Sequence, residues 1–191
     1  LDTAAARLSG KERVTFPNHT GAPLEEIVFR LYSNLPQRGG SMAIREVTVE
    51  GQPAAFSLRA ADTSLGVSLG QPLPPEREVS LELAFDLDVP LAQEGYVLLG
   101  YHQGIWSLPD AYPLLAAHDG QAWLEDLAPA HGDAVTAAAA TYDVLLTLPS
   151  NMVLAATGSL LGTSPAPTGG TTYHLAGSPL RDAEHVVPAG V

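Results

Sequence analysis

Residues 79–89 read VSLELAFDLDV, with Val79, Leu81, Leu83, Phe85, Leu87 and Val89 alternating with Ser80, Glu82, Ala84, Asp86 and Asp88. Successive side chains of a strand point to opposite faces, so this two-residue period puts every large apolar group on one side. The segment therefore reads as a half-buried antiparallel strand, with Leu83 and Phe85 in the core. At about 3.3 Å per residue it spans roughly 33 Å, near the long end for globular strands, and asks for an extended sheet. Pro72, Pro74 and Pro75 precede it and Pro90 stops it.

The same period recurs outward from this strand. In 26–35, Ile27, Phe29 and Leu31 alternate with Val28, Arg30 and Tyr32. Residues 44–56 read as a hairpin turning at Gly51-Gln52, and Leu65, Val67 and Leu69 form a short strand. In 140–148, Tyr142, Val144, Leu146 and Leu148 alternate with Asp143, Leu145 and Thr147 until Pro149 removes a ladder donor. Further strands are expected at 95–101, 112–117, 122–124 and 152–157. Residues 171–175 are expected to pair back on 152–161 across the loop GTSPAPTGG (162–170). A helix is favoured only at 133–140, with Gly132-Asp133 as cap, and a run so short is marginal unless packed. With 18 Gly and 16 Pro lying mainly between the strands, the pattern is an all-β, antiparallel sandwich or saddle-shaped sheet, residues 1–191 forming a single domain.

Composition narrows function by exclusion. Hydrophobic residues at 46% and charged residues at 16% suit a packed core and not a disordered chain. Nine basic against 21 acidic residues give a net charge of −12, which repels phosphate backbones and anionic headgroups, so neither nucleic acid nor membrane contact is expected. No apolar stretch approaches the roughly 20 residues that span a bilayer, and the first eight residues lack the order of a signal peptide. A soluble domain of unassigned compartment is the expectation. The chain starts at Leu1 and not at Met, as expected of a processed product or an excised piece. It has no Cys, hence no disulfide and no thiol nucleophile. Asp86 with Asp88, or Glu125 with Asp126, lack the dense ligand spacing of a calcium loop.

The wording of several segments resembles one family. ATYDVLLTLPSNMVLAATG (140–158) is similar to the end of the N-terminal β-domain of aminopeptidase N-like zinc peptidases, the gluzincins, of bacterial type. LSGKERVTFPNHTGAPLEEIVFRLYSNLP (8–36), IREVTVEGQPAAFSL (44–58) and QPLPPEREVSLELAFDLDVP (71–90) resemble that domain's first strands, its hairpin and its long strand. Ala111-Tyr112-Pro113 falls where the family has A-F-P, and TYHLAGSPLRDAEHVV (172–187) resembles the segment that runs into the catalytic domain. The resemblance spans nearly the whole chain. It implies a non-catalytic front domain whose partners are its own zinc-bearing catalytic domain and the peptide substrate, in a parent expected to be extracytoplasmic or membrane-anchored.

The family's catalytic motifs are missing. Gluzincins hold zinc with two His at i and i+4 on a helix, and none of His19, His102, His118, His131, His174 and His185 has another His four residues away. G-A-M-E-N is absent as well. No catalytic residue, metal ligand or cofactor is therefore assigned to this chain, zinc being expected in the absent domain. The resemblance places Gln103, with His102 beside it, where the front domain lends a polar side chain to the substrate's amino end. It places an interdomain surface at Leu180, Arg181, Val186 and Val187, with Trp106 from a cleft-facing loop. His118 and Asp119 read as turn residues before Gly120, not as a general-base pair. Two other readings stand beside this one. The first is a free-standing binding or adhesion module for carbohydrate or protein, with Trp106 and Trp123 as platform, and the second is a scaffold from a family member whose zinc motif has decayed.

Overall fold

A computed structural model describes residues 1–92, 98–126, 135–167 and 169–180, and the backbone of 185–188. The chain runs through β1 (Arg7–Pro17), β2 (Leu24–Arg30), a 3-10 turn (Tyr32–Asn34), β3 (Ser41–Val49), β4 (Gln52–Pro53), β5 (Phe56–Arg59), β6 (Ser64–Leu73) and β7 (Glu78–Asp88). It continues through β8 (Gly100–His102), β9 (Ile105–Ser107), β10 (Leu114–Leu115), β11 (Ala140–Leu148), β12 (Ala155–Ala156), β13 (Ser159–Pro165), β14 (Thr171–Leu180) and β15 (His185–Pro188). The pairings between these strands are antiparallel, in four sheets ordered β1-β7-β3-β4, β10-β2-β6-β5, β11-β14-β13 and β12-β15-β9-β8. The protein is an all-β sandwich. No described helix is long and apolar enough to cross a membrane.

The alternating segment at 79–89 forms β7, which pairs with β1 from Arg7↔Asp88 to Pro17↔Glu78 and with β3 on its other side. Its inward residues Val79, Leu81, Leu83, Phe85 and Leu87 are buried and join Ile27, Phe29, Leu65 and Val67 of the second sheet in one core. On the solvent face the register sets opposite charges across from one another. Arg7 meets Asp88 at 2.7 Å and Arg13 meets Glu82 at 2.5 Å, exposed pairs that contribute little each but penalise a slipped register. Gly10 faces the Phe85 ring, and a Cβ there would run into it, so this glycine lets the ring lie against the strand.

Several sequence expectations shift in detail. The β3–β4 turn sits at Glu50-Gly51, whose φ values of 50° and 74° are those of a tight mirror-image turn, and Phe56 crosses into the second sheet. The strand around Leu65 extends to Leu73. Of 112–117 only β10 is strand, and 122–124 carries one isolated bridge, His118↔Trp123. Within 152–157 only β12 is strand, and it pairs with β15, while β13 takes up the first part of the expected loop and pairs with β14. The helix-friendly run is not helical at 135–139. Val135 and Ala137 instead pack on Tyr32, Leu35 and Leu114, and the Tyr32 hydroxyl both donates to the Thr136 carbonyl at 3.1 Å and accepts its N–H at 2.9 Å. Residues 95–97, 132–134 and Thr168 of the expected strand, capped helix and loop lie outside the described residues.

β11 alternates as its sequence does, Tyr142, Val144, Leu146 and Leu148 inward and Leu145 68% exposed. Because Phe85 is 4% exposed and reaches across to Gly10, Phe85→Ala should cost about 3–5 kcal/mol. Urea unfolding would show this as a lower midpoint at unchanged slope, and an unchanged midpoint would remove Phe85 from the core.

Candidate functional site

The expected substrate-facing loop is a hairpin. β8 and β9 are joined by Gln103-Gly104, with φ of 47° and 81°, so a side chain stands at a left-handed position where glycine is favoured. Gln103 is exposed at the tip. The base of the hairpin is held against residues 90–92. Tyr101 donates to the Pro90 carbonyl at 3.0 Å and accepts the Ala92 N–H at 2.9 Å through its backbone, and Gly100 comes so close to Pro90 that a Cβ would sit 2.8 Å from its carbonyl oxygen. His102 Nδ1 lies 3.1 Å from the Ala92 carbonyl, which can only accept, so Nδ1 carries the proton and donates.

Trp106 is 5% exposed and stacks on Tyr101, ring centroids 4.5 Å apart at 15°. The expectation that it joins an exposed cleft-facing patch is corrected: an indole on the inward face of a short strand, with an aromatic ring opposite, gains more from the core than from water. Trp123 is half-buried, its indole N–H donating to the Glu26 carbonyl at 3.2 Å and its ring edge-on to His118 at 4.9 Å. Trp106, being buried, lacks the open face that a sugar platform requires.

β9 pairs with β15 at Val187↔Trp106 and Val186↔Ser107, so the backbone brings two expected interface residues beside the hairpin that carries Gln103. Their side chains, and Arg181, lie outside the described residues. Leu180 is in another sheet, half-buried at the end of β14 against Gly177 and Gly158.

What fixes the hairpin to the sandwich was not read from the sequence. Arg38 and Asp110 form a buried ion pair at 2.5 Å, with side chains 7% and 3% exposed. Arg38 also donates to the Pro109 carbonyl at 3.3 Å, and the Ser33 hydroxyl to that of Asp110 at 2.8 Å. Asp110 has φ of 49°, a conformation that Asp tolerates better than most residues. The segment leaving β9 is thus bolted to the turn leaving β2. Arg30 performs a similar task, donating to the carbonyls of Thr63, Leu124 and Asp126 while its guanidinium lies 5.1 Å from the Tyr32 ring centre. An isolated Arg or Asp carries no local signal of a partner so far along the chain.

His118 and Asp119 close a turn. The Asp119 carboxylate accepts the N–H groups of Ala122 and Gln121, both at 2.8 Å, which lower its pKa, and His118 Nδ1 accepts the Gly120 N–H. His174 contacts both carboxylate oxygens of Asp143 at 3.1 Å on an exposed sheet face, and His19 lies 3.4 Å from Glu76. Among the described residues no three His, Asp or Glu converge to hold a metal ion.

No family model and no curated protein matches the sequence. Solved structures do match. The M1 zinc metallopeptidase from Deinococcus radiodurans aligns at a TM-score of 0.65 and 20% identity, over 96% of this chain and 38% of its own. A mutant of that enzyme bound to a Tyr-Ser-Ala substrate gives 0.64 at 20% identity with the same coverage. A two-domain M1 zinc metallopeptidase mutant bound to L-arginine gives 0.63 at 19% identity, again over 96% and 38%. This chain has the fold of part of those enzymes. It spans 38% of their length, and at such identity the likeness is one of fold.

The buried pair is the part of this site most exposed to test. Asp110→Asn keeps the shape and the left-handed backbone but leaves Arg38 buried without a counter-charge, and should cost about 3–5 kcal/mol. Gln103→Ala, at an exposed tip, should change stability by no more than about 0.5 kcal/mol. Thermal and urea unfolding of the two variants would separate anchor from tip, and equal losses would contradict the assignment.

Proposed function

We propose that residues 1–191 act as one non-catalytic domain, the N-terminal domain of a zinc aminopeptidase-like metallopeptidase, packing on the catalytic domain and lining its substrate cleft. The observation that carries this reading is the fold likeness over 96% of the chain to a piece covering 38% of M1 zinc metallopeptidases. The sequence resemblance of 140–158 and 172–187 to the end of that domain supports the same placement. Zinc belongs to the catalytic domain in this reading, because the histidines here have no i, i+4 pair and the described donors do not gather.

In this role the chain contributes position and not chemistry. Gln103, on a hairpin tied at its base to the Pro90 and Ala92 backbone, presents an amide that both donates and accepts, suited to the amino end of a peptide. His102 has committed Nδ1 to the Ala92 carbonyl and so orients the hairpin. Leu180, Arg181, Val186 and Val187 are proposed to meet the catalytic domain, the latter two from the strand paired to this hairpin. Trp106, being buried, is left out of that surface. A hairpin held in place before substrate arrives spends less binding energy on ordering.

The purified chain should hydrolyse no aminoacyl reporter and retain no stoichiometric zinc after dialysis, as read by elemental analysis. One tightly held zinc per chain, with hydrolysis abolished by a chelator, would overturn the non-catalytic assignment.

A further inference from the structure

β1 alternates strictly between exposed and half-buried positions, and Leu8, Gly10, Glu12, Val14 and Phe16 share its inward face. Glu12 is the one ionisable member of that row. Its neighbours across the ladder are Leu83, with Phe85 and Leu81 opposite Gly10 and Val14. Its Oε2 is buried without a hydrogen-bond partner. A carboxylate oxygen in such surroundings loses its hydration and receives nothing in exchange.

No charge from an adjoining element compensates it among the described residues. The charged groups of its own strand and of β7, namely Arg7, Lys11, Arg13, Glu78, Glu82, Asp86 and Asp88, stand on the opposite face. The second sheet turns Ile27, Phe29, Leu65 and Val67 into the core, none of them titratable. The loop over the end of the strand brings Trp123 onto Phe16, with His118 behind that indole. The Leu1 ammonium donates instead to the Thr147 carbonyl. Burial alone pushes the Glu12 carboxyl up to about 8.

β1 is also held on one side only. It forms the edge of its sheet, hydrogen-bonded along its length to β7 only, so its departure breaks one ladder and leaves β7 paired to β3. We propose that Glu12 makes the docking of edge strand β1 proton-dependent: protonated, the strand packs on the core, and ionised, it is driven to expose its carboxylate by opening away from β7. The sign follows from linkage. A carboxyl that holds its proton more tightly when docked favours docking most below its ordinary value of 4.5, loses that advantage as pH rises to about 8, and is level above it.

Amide hydrogen exchange of the chain between pH 5 and 9, with protection factors corrected for intrinsic rates, tests the proposal. In the native chain the β1 amides bonded to β7 should lose protection by up to about tenfold per pH unit until pH 8 and level off, while β3 amides stay constant. In Glu12→Gln the β1 profile should be flat. A carbon-13 titration of the Glu12 carboxyl in the native chain should give a midpoint near 8. The proposal is overturned by a midpoint near 4.5, by β1 and β3 losing protection together, or by the same profile in Glu12→Gln.

Discussion

The pairing of β7 on both sides is the constraint on which the rest depends. One edge carries β1 over the whole of Arg7–Pro17 and the other carries β3, so the strand cannot slide without breaking two ladders. A slip by one residue would turn Leu81, Leu83, Phe85 and Leu87 to water and bring Glu82 and Asp86 into the core. The cross-strand charges and the Phe85 contact at Gly10 act in the same direction. Everything packed on that inner face takes its position from this register, including the second sheet that carries β2 and β6.

The strands with strict two-residue alternation were legible because their two faces meet different media. β7 and β11 have one inward and one outward row, and each stands where its pattern put it. The 26–35 segment was harder to place, since Val28 and Arg30 are buried on the face opposite Ile27 and Phe29. On that outer face the Arg30 guanidinium reaches the chain at 124–126, donating to the carbonyls of Leu124 and Asp126. The alanine run failed as a helix for a similar reason. Its intrinsic preference is worth a few tenths of a kcal/mol per residue, whereas the Tyr32 hydroxyl and the Leu114 cluster hold 135–137 extended.

At the candidate site the turn was legible and its support was not. Gln103-Gly104 announces a reversal, and its position beside Trp106 was readable from the chain. The inward burial of Trp106, the Arg38–Asp110 pair and the unpartnered Glu12 oxygen depend on residues distant in sequence, and no local period encodes them. The first two describe a hairpin seated on a sandwich, with an exposed polar tip and a strand, β15, paired along its second side. Such a piece can line a cleft without taking part in bond breaking, and loops set on a rigid scaffold are where binding residues tend to lie.

The proposal that this hairpin faces the peptide in a larger enzyme is most directly tested by hydrogen exchange on the chain joined to the catalytic domain proposed for it, with and without a hydrolysis-resistant dipeptide analogue at saturating concentration. The account predicts slower exchange at residues 102–105 when the analogue is bound and no change in β5. Bound analogue with unchanged exchange across the hairpin would contradict it.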